Sequence, residues 1–127
     1  WRIDKNKKGY QYMENVKIFL KKGDILIREG EESQNLYWVQ KGELSVYKKV
    51  VDRSLKININ TLSAGDLIGE LSFIDQKPRS ATVQATTDCE LIKLDYVEYQ
   101  KMLGQQPKWI VKILESISHK LRKLSDL

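Results

Sequence analysis

The residues best equipped for chemistry lie in one run, Gly69-Glu70-Leu71-Ser72-Phe73-Ile74-Asp75-Gln76-Lys77-Pro78-Arg79-Ser80-Ala81-Thr82-Val83. Gly69 lets the chain turn, and Glu70 to Ile74 can wind one helical turn whose free N–H groups point at an anion. Arg79 follows with a planar fork of donors suited to a phosphate. The small residues Ser80 and Ala81 let backbone and hydroxyl approach the same anion. Donors for a phosphate, with Glu70 as an acceptor for a hydroxyl, together suit a sugar phosphate. The competing structural reading is a surface salt bridge between Glu70 and Arg79, worth little. Ser72 reads first as a turn or cap residue and second as a wall of the same cradle.

Other chemistries find few residues to carry them. The chain has 1 Cys and 1 His, so it offers no His/Cys cluster for zinc and no internal disulfide. Acyl transfer through Ser/His/Asp or Cys/His depends on His119 alone, and a metal-dependent enzyme built on a β-roll needs several histidines. No catalytic residues are therefore expected. Cys89, ahead of an apolar strand, reads as a packed bystander, and His119, beside Lys120, as exposed. A reducing, cytoplasmic setting fits this cysteine usage.

The elements that must position the run come in two kinds. From about residue 16 to 94 the sequence reads as short strands divided by glycine-bearing turns: Val16–Leu20, Ile25–Arg28, Leu36–Gln40, Glu43–Val51, Leu55–Leu62, Ala81–Ala85 and Glu90–Leu94. Leu55, Ile57 and Ile59 alternate with Lys56, Asn58 and Asn60, the period of a half-buried strand. Gly23-Asp24 and Gly65-Asp66 each precede an aliphatic pair, an internal echo. Many short strands with scattered Gly turns predict a mainly β chain, a jelly-roll β-sandwich with a short helix in the 69–83 run.

The last third changes period. Asp95 with Glu98 resembles a capping box, and Gly104 is a suitable stop, which predicts a helix over Asp95–Leu103. Pro107 suits the first turn of a second helix running to about Ser125. In it Ile110, Leu114, Ile117, Leu121 and Leu124 form an apolar seam. That seam packs on the roll or serves both the roll and a twofold partner, and Trp109 reads as an anchor. The organisation expected is thus an N-terminal segment 1–15, a β-roll over 16–94 with the cassette at 69–83, and C-terminal helices over 95–127.

With 127 residues, 41% hydrophobic and 31% charged, the chain has the composition of one ordinary folded domain rather than a disordered one. Its longest apolar run, Leu36 to Val39, is far below the roughly 20 residues of a membrane span. The formal charge is +5, and the basic excess sits at residues 1–22 and 108–127 rather than along one stripe. Nucleic acid is accordingly not expected as a partner of this piece. The first residue is Trp1 rather than Met, so the chain reads as a processed product or a piece of a longer protein, with its output domain or partner chain outside this sequence.

The 69–83 run resembles the phosphate-binding cassette of the cyclic nucleotide-binding domain family, which includes bacterial catabolite activator proteins, regulatory subunits of cAMP-dependent kinase and cyclic-nucleotide-gated channels. The likeness extends through Gly23-Asp24, Gly30-Glu31, Gly42-Glu43-Leu44, Gly65-Asp66 and Arg79-Ser80-Ala81-Thr82-Val83, and covers roughly residues 16–125. It implies a jelly roll flanked by helices, and a regulatory module that binds a 3′,5′-cyclic mononucleotide, cAMP ahead of cGMP, and passes the signal through its C-terminal helix. Residue by residue, it implies that Glu70 accepts the ribose 2′-hydroxyl and that Arg79 pairs with the cyclic phosphate. Gly69, Leu71 and Ala81 complete the cradle, Ser72 and Ser80 line it, and Leu124 and Ser125 close over the base.

Two departures stand out. Trp1 to Tyr12 shows no amphipathic helix ahead of the first strand. Where catabolite activators contact adenine with a Thr-Ser pair, this sequence has Leu124 and Ser125, so only the serine matches. Two uses of the domain stay open: a nucleotide-binding regulator, or a nucleotide-free dimerisation or docking module of the same fold. The residues 107–127 offer a homodimer contact in either case.

Overall fold

Alternating apolar residues in short strands give two sheets whose inner faces meet. A computed structural model describes residues 16–50 and 55–125; the reading of residues 1–15 lies outside them. The strands are β1 (Val16–Leu20), β2 (Ile25–Ile27), β3 (Leu36–Lys41), β4 (Leu44–Val50), β5 (Leu55–Leu62), β6 (Leu67–Ile68), β7 (Thr82–Ala85) and β8 (Cys89–Leu94). Helix α1 (Glu70–Asp75) interrupts them, and α2 (Tyr96–Leu103) and α3 (Lys108–Ser125) follow. One sheet has the order β1-β8-β3-β6 and the other β2-β7-β4-β5, and every pairing is antiparallel. This is the expected jelly-roll sandwich with a cassette helix and C-terminal helices.

The glycine-aspartate echo is a repeated turn. Gly23 and Gly65 have φ of 95° and 96°, values that favour glycine. In each turn the aspartate carboxylate accepts from the backbone N–H three residues earlier, Asp24 from Lys21 and Asp66 from Ser63, both at 2.8 Å. One turn then bonds to Ala85 at the end of β7, and the other to Val39 in β3. The two turns therefore pin the chain to one sheet each.

The inter-sheet core is built on Val39, Leu44 and Leu91, all fully buried, with Ile27, Tyr37, Ile68, Val83, Ala85 and Cys89 around them. A second cluster of Leu36, Phe73 and Leu94, with Tyr96 and Met102 packed on it, ties α1 and α2 to the roll. Phe73 and Tyr96 meet edge to face with ring centroids 6.0 Å apart. Asp95 caps α2 as its spacing predicts, accepting from the N–H groups of Val97 and Glu98.

The structure departs from the sequence expectation at four places. Strand β6 was not foreseen, because two residues carry no period. Strand β5 forms over the expected span but lies at a sheet edge, so Leu55, Ile57 and Ile59 stay half exposed rather than buried. On α3 the seam packs inward only at its start: Ile110 and Leu114 are half-buried, as is Val111, whereas Ile117, Leu121 and Leu124 face outward and the buried residues of the helix are Ser118 and Arg122. Trp109, expected as an anchor, is 65% exposed.

Candidate functional site

Arg79 reaches the interior because the segment between α1 and β7 is clipped to the β2–β3 connection. Its backbone N–H donates to the carbonyl of Glu31 at 2.9 Å, and its carbonyl accepts from Gly30 N–H at 2.8 Å. The side chain then runs inward, leaving the residue 4% exposed. Nη1 donates to the Gly69 carbonyl at 3.2 Å, and Nη2 to the Asn35 carbonyl at 2.6 Å and to Ser33 Oγ at 3.4 Å. Nε is buried without a partner. Among the described residues no carboxylate stands within ion-pair distance of this guanidinium.

Its hydrogen bonds go to neutral oxygens alone, so the cation has carboxylates only at longer range, at Glu31 and Glu70. Burial is the largest influence on Arg79 and draws its pKa down; Tyr37 and Glu31 push back, Arg122 adds to the fall, and Glu70 opposes it. An arginine remains protonated throughout. The neighbouring Tyr37 phenol has its pKa raised by its own burial, against the Arg79 charge and a hydrogen bond with Asn35 and with the help of Glu31.

Beside the guanidinium lies a cavity of about 180 Å³. Gly69 to Ser72 and Arg79 to Ala81 form its cassette wall, and Ile27, Val46, Asn60, Leu62 and Val83 its sheet wall. Gly69 stands at φ 88° and caps α1. A side chain there would collide with the Arg79 guanidinium. The exposed Glu70 begins the helix, so its carboxylate stands at the rim.

A sequence profile described as "cyclic nucleotide-binding domain" matches residues 17–106. The chain belongs to the cyclic nucleotide-binding domain family. Among curated relatives, the cAMP-activated global transcriptional regulator CRP of Salmonella typhimurium is 28% identical over 102 residues, covering 80% of this chain and 48% of that protein. The cAMP-dependent protein kinase regulatory subunit of Candida albicans is 36% identical over 83 residues, 65% of this chain and 17% of that protein. The chain thus spans about half the length of the first relative and far less of the second. Among solved structures, the cAMP-bound form of the EAL enzyme Bd1971 superposes with a TM-score of 0.77 at 23% identity, covering 85% of this chain and 28% of that one. Its cGMP-bound form superposes at 0.73, with 23% identity and 84% and 28% coverage.

Within this cyclic nucleotide-binding domain, the structure brings together seven of the residues singled out from the sequence, Gly69, Glu70, Leu71, Ser72, Arg79, Ser80 and Ala81, on one cavity. It does not bring Leu124 there: that residue is 66% exposed and lines no part of the cavity. Ser125 ends α3, and its side chain lies outside the described residues. Sequence reasoning missed Ser33 and Asn35, which hold the guanidinium, and Asn60 on the sheet wall. Asn35 contributes a backbone carbonyl to the arginine, a group any residue supplies, so its identity carries no signal there.

The direct salt bridge considered for Glu70 and Arg79 does not form. Among the described residues there is no group of three or more potential metal ligands, and no helix is long and apolar enough to cross a membrane.

Proposed function

We propose that this domain binds a 3′,5′-cyclic mononucleotide in the cavity beside Arg79, cAMP in preference to cGMP, and relays its occupancy through α3 to an output domain or partner chain. The observation that carries the reading is the buried guanidinium with no carboxylate beside it and an unpartnered Nε. A buried charge lacking a counter-charge is costly, and a phosphate monoanion supplies what it lacks. Glu70 at the rim takes the ribose 2′-hydroxyl. The N–H groups of the first turn of α1, which no helix satisfies internally, and the small residues Ser80 and Ala81 cradle the phosphate.

The cavity is smaller than the roughly 300–1,000 Å³ that encloses a whole drug-sized ligand. It suits the sugar phosphate and leaves the base outside, where the exposed Leu121 and Leu124 of α3 and the end of that helix at Ser125 cover it on closure. Ser80 is compatible with either purine. The cAMP preference draws on the likeness to a cAMP-activated regulator, and the cGMP-bound likeness keeps cGMP as the alternative.

The stripe formed by Ile113, Ile117, Leu121 and Leu124 is 45% to 66% exposed. It favours a second use of the same helix, in a homodimer or against an output helix through residues 107–127. The binding reading is tested by side-by-side calorimetric titration with cAMP and cGMP. One site per chain with tighter cAMP binding is expected; absence of binding by either nucleotide leaves only the docking module, and tighter cGMP binding reverses the base preference.

A further inference from the structure

The half-buried Asn35 ends the connection between β2 and β3. Its backbone carbonyl accepts from Arg79 Nη2 at 2.6 Å, shorter than the other bonds of that guanidinium. Any residue supplies a carbonyl, but this one also supplies a side-chain amide. Its Oδ1 accepts from the Tyr96 N–H at 3.2 Å, across 61 residues of sequence. The amide is also bonded to the Tyr37 phenol, an interaction that favours the ionised phenol, so the amide N–H is the donor there.

Both anchors are themselves fixed. Tyr37 is a buried member of the inter-sheet core, in register with Ile68 and Lys93. The Tyr96 N–H belongs to the first turn of α2, where no donor is satisfied within the helix. Asp95 takes the N–H groups of Val97 and Glu98 and leaves that of Tyr96 to Asn35. An amide held at both ends cannot swing, so the backbone carbonyl of the same residue meets the guanidinium from one direction. With Nη1 on the Gly69 carbonyl and Nη2 on that of Asn35, the plane of the fork is set, and Nε is left as a donor without a partner.

Resting on the nucleotide reading above, we propose that Asn35 is a positioning residue of the site: its side chain holds the backbone carbonyl that orients the Arg79 guanidinium for the phosphate, without touching the ligand itself. Asn35→Ala keeps the carbonyl and removes the anchor. In the free chain the Arg79 Nε–H, followed by NMR, should exchange slowly with water, and Asn35→Ala should speed that exchange by about ten-fold. An unchanged rate overturns the proposal. In calorimetric titration Asn35→Ala should bind cAMP at least about five-fold more weakly, while its ratio of affinities for cAMP and 2′-deoxy-cAMP stays that of the wild type, because Glu70 is left in place. A collapsed ratio means general loosening of the cassette, and unchanged affinity means that the arginine needs no such support; either overturns the proposal.

Asn35→Asp keeps the shape and both anchors, since a carboxylate accepts from the Tyr96 N–H and from the Tyr37 hydroxyl, but it sets a negative charge beside the cation. It should unfold at a urea concentration no lower than the wild type and still bind cAMP about five-fold or more weakly, as the carboxylate competes with the phosphate. Binding that simply follows stability overturns the proposal, and this variant serves should Asn35→Ala not fold. If the wild type binds no cyclic nucleotide, the functional reading fails on that result, and the Nε–H exchange of the free chain still decides whether Asn35 holds the arginine.

Discussion

At Gly69, with φ 88°, an added methyl group would meet the Arg79 guanidinium and lie 3.0 Å from the Asn35 carbonyl oxygen that the guanidinium uses. Gly69→Ala should therefore displace Arg79 and strain the backbone, costing about 1–3 kcal/mol of stability and weakening nucleotide binding; urea unfolding and calorimetry on the same variant check both. At Glu70 the expected contribution is one hydrogen bond to a charged acceptor, about 1.5–3 kcal/mol. The wild type should then bind 2′-deoxy-cAMP about ten-fold or more weakly than cAMP, and Glu70→Ala should bind the two alike. Equal affinities in the wild type would remove the assigned role. Gly69, Glu70 and Arg79 are legible in the sequence because the chemistry demands those residue types. Ser33 and Asn35 are not, since holding the arginine asks only for a hydroxyl and a backbone carbonyl brought in from a distant loop.

Among the elements, α3 shows where periodicity misleads. Its strongest apolar repeat, Ile110 to Leu124, points largely outward, while the inward side at its end is carried by Ser118 and Arg122. An apolar pattern cannot announce a buried arginine, because the partner, Asp75, lies 47 residues away in sequence. Burial of the Asp75 carboxyl works to raise its pKa, but hydrogen bonds from Arg122 and the Lys77 backbone, and the charges of both side chains, outweigh it and hold it below the usual carboxylate range. A carboxyl depressed in the folded state adds stability that is fully present above its unfolded pKa, about 3.9. That contribution is lost as pH falls through the lower, folded value. Acid unfolding curves should show this loss in the wild type and a shallower fall below about pH 4 in Asp75→Asn; superimposable acid limbs would mean that the pair adds nothing to the docking of α3.

For the whole molecule, strand order and the two Gly-Asp turns hold the cassette against β4, β5 and β7, and the resulting cavity ends at a cation with no carboxylate within ion-pair distance among the described residues. The sandwich is legible because alternation and turn residues repeat along most of the roll. The two-residue β6 and the uncovered face of β5 are not, because sheet order is a property of the assembled chain. A ligand that binds only the folded form also stabilises it by mass action, so the same cation that burdens the free domain makes occupancy consequential. The most direct test is calorimetric titration of wild type and Arg79→Ala with cAMP, at one pH and salt concentration, with circular dichroism confirming that both are folded. Removing one partner of a buried charge contact costs on the order of 2–5 kcal/mol, so the variant should bind at least about 30-fold more weakly; affinity unchanged in folded Arg79→Ala would contradict the account.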